Sequence, residues 1–383
     1  MPAAKRIGLI VPTRRTYGRG VLRGVAQYIR TQTNWECILL AEPADEWVKA
    51  MERWDGDGLI AHCWDRPMID AGMKSGTKFI NVSNTVPPAA EFQVVSDDYA
   101  VGAIAAEHLI SQGFRKFAYL GIVDHYYTSL RGQGFRDAIV KAGFDVEEAP
   151  GIVNTPECAT DKERDAVAAW AAMLPRPCGV LASNDQLALN FIDICRKLTI
   201  RIPEQLAVLG VDNDEIFCDL SNPPLSSVAL SVERIGFEAA RLLDSLMRDQ
   251  GPKKMLMKVP PLGAVVRTST DVLNVADPVI AEAVRYIRAH AQDDLQVEDV
   301  LRIVNLSRRS FEQRFRAALG ITPAVEIRRV QIDRAKRALR ETDQAMPDVA
   351  LASGFRDAKQ LSSTFHKMTR MTPSEYRRQH RIG

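Results

Sequence analysis

The sequence predicts a two-lobed α/β domain followed by an all-α domain. Three observations carry this. Over residues 5–270, short apolar runs alternate with helical periodicity. After the polar stretch "RTSTDVLNVADPVI" (267–280) the pattern is helical only, with no β-branched runs. The charge also changes sign there: residues 278–383 hold 20 Lys+Arg and 13 Asp+Glu, a balance of +7, while the remainder holds 30 and 35, a balance of −5. A basic module on an acidic body suggests one part that meets a polyanion and one that does not.

Taken in order, "RIGLIVP" (6–12) is a buried-strand run, followed by a helix around "VLRGVAQYIRTQ". A second strand, "ECILLAEP", precedes the helix "DEWVKAMERW". "GDGLIAHC" and "KFINVSN" are two more strands. "YAVGAIAAEHLISQG" is a helix ending at Gly113, and "KFAYLGIV" is the next strand. "GVLASND", "LAVLGVDND" and the helix "VERIGFEAARLLDSLMRD" complete the series. Strands alternating with helices indicate parallel βαβ units. The length of this part suits two similar lobes. "GRGVLRG" (18–24) has G-x-G-x-x-x-G spacing rather than the dinucleotide-binding G-x-G-x-x-G, and is expected to form a turn near a ligand.

The totals exclude several classes. A chain of 383 residues has material for about two or three domains. No run is long and apolar enough for a membrane span, and the N-terminus lacks a secretory signal core, so a cytoplasmic location is expected. The six cysteines (Cys37, Cys63, Cys158, Cys178, Cys195, Cys218) include no C-x-x-C pair and are expected to be buried free thiols. The histidines have no paired metal spacing, and His62 and Cys63, one apart on a strand, face opposite sides. No phosphate loop or nucleophile–base arrangement occurs. No cofactor, metal or catalytic site is expected.

The helical part carries an internal repeat. "VEDVLRIVNLSRRSFEQRFRAALGITPAVEIRR" and "MPDVALASGFRDAKQLSSTFHKMTRMTPSEYRR" each contain a short helix, a turn residue, a polar helix with an apolar seam, and Thr-Pro before another helix. Thr322-Pro323 and Thr372-Pro373 are N-cap and N1 starts. Asn305 and Gly354 are the residue types that accept a left-handed corner. Each unit therefore reads as a helix-turn-helix. At about 100° per residue, Phe311, Phe315 and Leu319 share one face, with Ala318 beside them. Arg309, Gln313 and Arg316 lie opposite, flanked by Ser310, Glu312 and Ala317. Arg pairs bidentately with guanine, Gln with adenine, and Glu accepts from cytosine. Arg308 at the helix start and Arg314 at the margin suit phosphate contact. In the second unit Leu361 and Phe365 form the seam. Lys359, Ser362 and Ser363 face outward with His366 beside them, and Ala358 starts the helix.

Residues 278–378 resemble the AraC/XylS-type DNA-binding domain, through Ser307, Phe311, Phe315, Gly320, Pro323, "VALASGFRD" and "FHKMTRMTPSEYRR". The resemblance implies two helix-turn-helix units held by a central helix over about 323–341, entering successive major-groove segments of double-stranded DNA. It implies base reading by Arg309, Glu312, Gln313, Ala358, Lys359, Ser362 and Ser363. Leu301, in place of a small residue, and Arg370-Met371, in place of a glycine, depart from the family pattern.

The earlier part resembles the sensor domain of LacI/GalR-type regulators in "VVSDDYAVGAIAAEHLISQGFRKFAYLG" (94–121), "TSLRGQGFRDAI" (128–139) and "GVLASNDQLALNFIDICRKLTIRIPEQLAVLGVDNDE" (179–215). That domain has the periplasmic-binding-protein fold, two α/β lobes clamping a small molecule. A sensor first and an AraC/XylS-type module last is the order found in the family of xylose-operon activators, which the sequence resembles along nearly its whole length. The expected layout is a sugar sensor over 5–270, a linker over 271–278 and a DNA-binding domain over 279–379. Arg131 matches the family's ligand-binding arginine, whose fork can grip adjacent hydroxyls. Asn184, Asp185, Asp212 and Asn213 follow strand runs, where open α/β sheets bind ligands. From the first lobe, Tyr17 and Arg19 follow the first strand, and Trp64 and Asp65 the third. Asp97 is expected only to cap the next helix. The implied function is a sugar-responsive regulator, acting as a homodimer and, if an activator, touching RNA polymerase. A sugar-binding protein without DNA regulation and a sugar-acting enzyme on the same scaffold are the alternatives. The effector is expected to be a pentose, with xylose suggested by the resemblance.

Overall fold

A computed structural model describes residues 4–32, 34–40, 46–151, 160–271, 275, 277–369 and 371–380. The chain divides into two compact units, Met1–His108 with Arg115–Asp271, and Leu109–Phe114 with Val272–Gly383.

The first unit begins β1 (Lys5–Ile10), α1 (Thr16–Gln32), β2 (Trp35–Leu39), α2 (Trp47–Glu52), β3 (Gly58–Ala61), α3 (Arg66–Lys74), β4 (Lys78–Asn81) and β5 (Phe92–Ser96). The chain then crosses to the second lobe through α4 (Asp98–Ser111), β6 (Phe117–Leu120), α5 (Tyr126–Lys141), β7 (Val146–Glu148), α6 (Asp161–Met173), β8 (Cys178–Ala182), α7 (Asp185–Lys197), β9 (Leu206–Asp212), α8 (Glu215–Leu220) and β10 (Ser226–Ala229). It returns by α9 (Val232–Met247) and β11 (Met255–Val259), and crosses again to β12 (Gly263–Val265). One sheet has the order β11-β5-β4-β3-β1-β2 and is parallel throughout; the other runs β12-β10-β9-β8-β6-β7, with β12 antiparallel to β10. Three crossings between two such sheets make the two-lobed fold.

The continuous apolar runs follow from helices covering both faces of a parallel sheet. In β1 and β3, Ile7, Leu9 and Ile60 pack towards α1 and α9, where Val21, Val25, Ile235 and Leu243 meet them. Their alternating neighbours Ile10, Leu59 and Ala61 pack towards Trp47, Met51 and Met68 on the other face. The second lobe repeats this with Val180, Val208, Leu187 and Phe191.

Two sequence expectations change here. "GRGVLRG" lies inside α1 and is not a turn. Its glycines serve close packing of α1 on α9: a Cβ at Gly20 would lie 2.2 Å from Val232, and one at Gly24 1.8 Å from the Glu233 carbonyl oxygen. Cys37 is exposed on the edge strand β2, whereas Cys63, Cys178, Cys195 and Cys218 are buried free thiols. Cys158 lies outside the described residues.

The polar stretch after β12 starts as part of the sensor. Ser269 Oγ donates to the Val208 carbonyl at 2.6 Å, and Thr270 Oγ1 to Ser226 at 2.8 Å. Residues 272–274 and 276 of the expected linker lie outside the described residues. Asp277 caps the next helix, which starts at Pro278.

The second unit holds α10 (Pro278–His290), α11 (Val297–Val304), α12 (Arg308–Leu319), α13 (Pro323–Glu341), α14 (Met346–Ala352), α15 (Ala358–Thr369) and α16 (Pro373–His380). Asn305, φ +46°, turns α11 into α12; Gly354, φ +84°, follows α14. Thr322 caps α13, and Thr372 with Glu375 caps α16 reciprocally. Two separate cores result. Phe311, Phe315 and Leu319 anchor the first with Val300 and Ile327; Leu361 and Phe365 anchor the second with Val349, Ile332 and Tyr376. Leu301 packs at the margin of the first core and Met371 at that of the second. Arg370 lies outside the described residues.

Candidate functional site

The sensor's polar centre forms where strand ends of both lobes meet. Helices α4 and α5 pack backbone to backbone: a Cβ at Gly102 would lie 2.0 Å from the Arg131 carbonyl oxygen, and one at Gly134 2.0 Å from that of Tyr99. This approach sets Asp98, at the start of α4, against Arg131 on α5. Arg131 Nε donates to Asp98 Oδ1 at 2.8 Å and Nη1 to the Ser183 carbonyl at 2.5 Å. Asp212 Oδ1, at the end of β9, is 3.7 Å from Nη1. The Tyr127 ring stacks under the guanidinium, 4.7 Å from its centroid. Asn84 donates to the other Asp98 oxygen at 2.8 Å. Asp98 and Tyr127 are thus central residues that the sequence reading did not select.

The Arg131 charge is arranged to persist. Burial opposes the Arg131 charge, but Asp98 and Asp212 outweigh it and hold the guanidinium protonated. Burial raises the Asp98 pKa against the opposing pull of Arg131. Burial also pushes Asp212 up to about 6, again against Arg131. From the first lobe, the Tyr17 hydroxyl donates to the Val82 carbonyl at 2.8 Å, and its ring meets His62 edge-on at 5.5 Å. Burial, then Asp98, raise the Tyr17 phenol pKa. Burial lowers His62 to about 4, leaving a neutral imidazole at neutral pH. A fixed cation, carboxylates and aromatic faces in one cleft can hydrogen-bond a neutral polyhydroxyl ligand and stack on its apolar face.

The other expected ligand residues have protein partners. Asp185 is buried, and its carboxylate accepts from Ser227 Oγ at 2.5 Å, the Asp214 amide at 2.7 Å and Cys218 Sγ at 3.7 Å. One oxygen accepts from the Asp214 amide, so Asp185 braces the loop that follows Asp212. That loop is turned sharply, with φ +111° at Asp212 and +51° at Asn213. The Asn213 side chain accepts from Arg267 at 3.0 Å. Asn184 caps α7, accepting from the Leu187 amide at 2.8 Å. Arg19 donates to the Thr13 and Arg14 carbonyls and to Thr16, bracing the loop before α1. Trp64 stacks on Trp47 with centroids 4.5 Å apart, and Asp65 caps α3. Asp97 accepts from the Ala100 amide at 3.3 Å, as a helix-start residue should. Thr16 Oγ1 donates to Asp214 Oδ2 at 2.5 Å, joining the lobes directly.

In the helical unit, Arg309, Gln313, Arg316 and Ala317 are exposed on α12, with Ser310 and Glu312 half-buried. On α15, Lys359, Ser363 and His366 are exposed, with Ala358 and Ser362 half-buried. Among the described residues, no ion pair engages Arg309 or Arg316. Arg308 differs: it donates to Glu312 at 3.0 Å and to Glu298 at 2.5 Å. Glu312 therefore has a local partner before any base. Arg314 grips Asp277 with two bonds of 2.7 Å each. Its place is the fold of the unit, not the phosphate contact its position at the helix margin suggested. Among the described residues, no cluster of three or more His, Cys, Asp or Glu could hold a metal, and no helix is long and apolar enough to cross a membrane.

Three family descriptions match successive stretches: the XylR N-terminal domain over 6–96, a periplasmic binding protein-like domain over 106–270 and a helix-turn-helix domain over 300–379. The xylose operon regulatory protein of Escherichia coli (strain K12) is 29% identical, with 97% of this chain and 96% of that protein aligned. That of Haemophilus influenzae is 28% identical over 97% and 98%. A solved structure of the xylose-binding transcription activator xylR superposes with a TM-score of 0.62 and 28% identity, covering 99% of both chains. The chain joins a periplasmic-binding-protein-like sensor to a C-terminal AraC-type helix-turn-helix domain and is, like the xylose operon regulators it resembles end to end, a ligand-responsive DNA-binding transcription regulator.

Proposed function

We propose that the chain is an activator that senses a pentose, with xylose the first candidate, between the sensor lobes. The observation that carries this is the convergence of Asp98, Tyr127 and Asp212 on Arg131, with Tyr17 of the first lobe close enough to feel the same charges. In this reading Arg131 and Asp212 bind sugar hydroxyls, and Tyr17 or Tyr127 supplies an apolar face. The relatives are named for xylose, which supports xylose as the first pentose to try. Closure on the sugar favours a DNA-competent form, provided the ligand binds that form more tightly. A cytoplasmic homodimer formed through the sensors then presents two helical units to paired promoter sites and contacts RNA polymerase. Arg309, Gln313 and Arg316 of α12, with Lys359, Ser362 and Ser363 of α15, read bases. Arg308 and Ser310 flank the first set, and Ala358 the second. A thermal-shift panel of pentoses and hexoses tests the sensor. A ligand at a hundredfold excess over its Kd adds about 2.7 kcal/mol of stability. D-xylose should raise the sensor's melting temperature; a response to hexoses alone would reject the pentose assignment.

A further inference from the structure

We propose that Gln331 is a positioning residue that clamps the two helix-turn-helix units together and so fixes the spacing of the DNA segments they read. The inference rests on the DNA-reading function above.

The two cores of the helical unit have no residue in common. They are joined along α13, whose Ile327 and Val330 pack into the first and whose Ile332, Ala335 and Leu339 pack into the second. Gln331 sits at the changeover and is 0% exposed. Its Nε2 donates to two carbonyls. One is Ala291, at the end of α10, which packs into the first core, at 3.1 Å; the other is Gly354, in the corner of the second unit, at 2.7 Å. Its Oε1 accepts from Arg328 at 2.7 Å, and Arg328 lies over Phe355, next to that corner. The seat is tight: a Cβ at Gly354 would lie 1.8 Å from the Ala291 oxygen and 2.9 Å from Gln331 Nε2.

An amide suits this place because it gives two N–H donors to two carbonyls and an oxygen to a cation. An apolar side chain would leave both carbonyls buried without a donor. A carboxylate would keep the Arg328 contact but face two carbonyl oxygens. Either change loosens the second corner from α10 while leaving each core's apolar residues in place. Recognition helices α12 and α15 then lose their fixed offset. One inserted base pair rotates the second DNA segment by about 34° and moves it about 3.4 Å, a change a rigid pair of helices cannot follow.

The test uses the full chain. Duplexes are selected by the wild-type protein from random-sequence DNA, and copies are made with one or two base pairs inserted between the two protected segments. Wild type should lose at least tenfold in affinity per insertion. Gln331→Met and Gln331→Glu should bind the selected duplex about tenfold more weakly. They should differ less than threefold among the spacings and still protect the α12 segment. A full spacing penalty in either folded variant overturns the proposal. So does the absence of a penalty in wild type, or loss of all binding by both variants, which would make Gln331 a folding residue only. A wild-type chain that selects no sequence at all would instead contradict the DNA-reading function.

Discussion

Arg131→Met isolates the polar centre of the sensor. Arg131 and Asp98 are 5% and 1% exposed at their side chains and joined at 2.8 Å. Removing one partner of a buried pair leaves the other uncompensated and costs roughly 3–5 kcal/mol. The Asn84 hydrogen bond to Asp98 survives, and Asp98 can take up a proton, so the lower end of that range is expected. The loss of the bond to the Ser183 carbonyl adds to it. Urea unfolding of the full chain should show the sensor transition shifted and that of the helical unit unmoved. A second variant, Arg131→Met with Asp98→Asn, removes the orphaned charge and should recover more than half of the loss. Neither variant should respond to sugar, because both lack the guanidinium proposed to bind its hydroxyls. A single variant within 1 kcal/mol of wild type, or a double variant no more stable than the single, would refute the reasoning.

Further outcomes follow from the same geometry. Asp212 has a folded pKa raised to about 6, so between about pH 4 and 6 the folded state binds a proton the unfolded chain does not. Its ionisation therefore costs sensor stability as pH rises from about 4 to 6. Sugar affinity should change in the opposite sense, weakening as pH falls from 7.5 to 5.5, because the carboxylate is the better hydroxyl acceptor; isothermal titration across that range checks it. Thr16→Val removes the bond to Asp214 between the lobes, and at about 1 kcal/mol should weaken sugar binding roughly fivefold without changing DNA affinity in saturating sugar. Arg309→Ala should cost specific DNA binding roughly 1–3 kcal/mol, measured by gel shift, with the fold intact. Arg314→Ala should instead lower the melting temperature of the helical unit, since its partner is the Asp277 cap.

The sequence disclosed what repeats and what is apolar. The parallel strands β1, β3, β4, β6, β8 and β9 read as buried runs, whereas β5 and β11 are not evident in the sequence; Asn305 and Gly354 are recognisable as corners because few residue types accept positive φ. The strands β7 and β12, three residues each, are too short to show a pattern, and β10 ("SSVA") spends its serines on buried hydrogen bonds. Adjacent acids hid the centre of the cleft: in "SDDYA", Asp97 caps a helix while Asp98 pairs with a residue 33 positions later. Only the packing of α4 on α5 distinguishes them. Asp185 shows the converse. Its place at a strand end suggests a ligand, yet tertiary contacts from Ser227 and Asp214 occupy its oxygens. The glycines of α1 mimic a nucleotide loop until α9 is seen lying against them.

The central claim is that occupancy of the sensor cleft governs DNA binding by the helical unit. Its most direct test is the affinity of the full chain for its promoter duplex with and without saturating D-xylose at fixed salt. Wild type should bind at least fivefold more tightly with the sugar, a coupling of about 1 kcal/mol or more, while Arg131→Met shows none. Equal affinities with and without sugar, for a chain whose sensor is stabilised by that sugar, would contradict the claim.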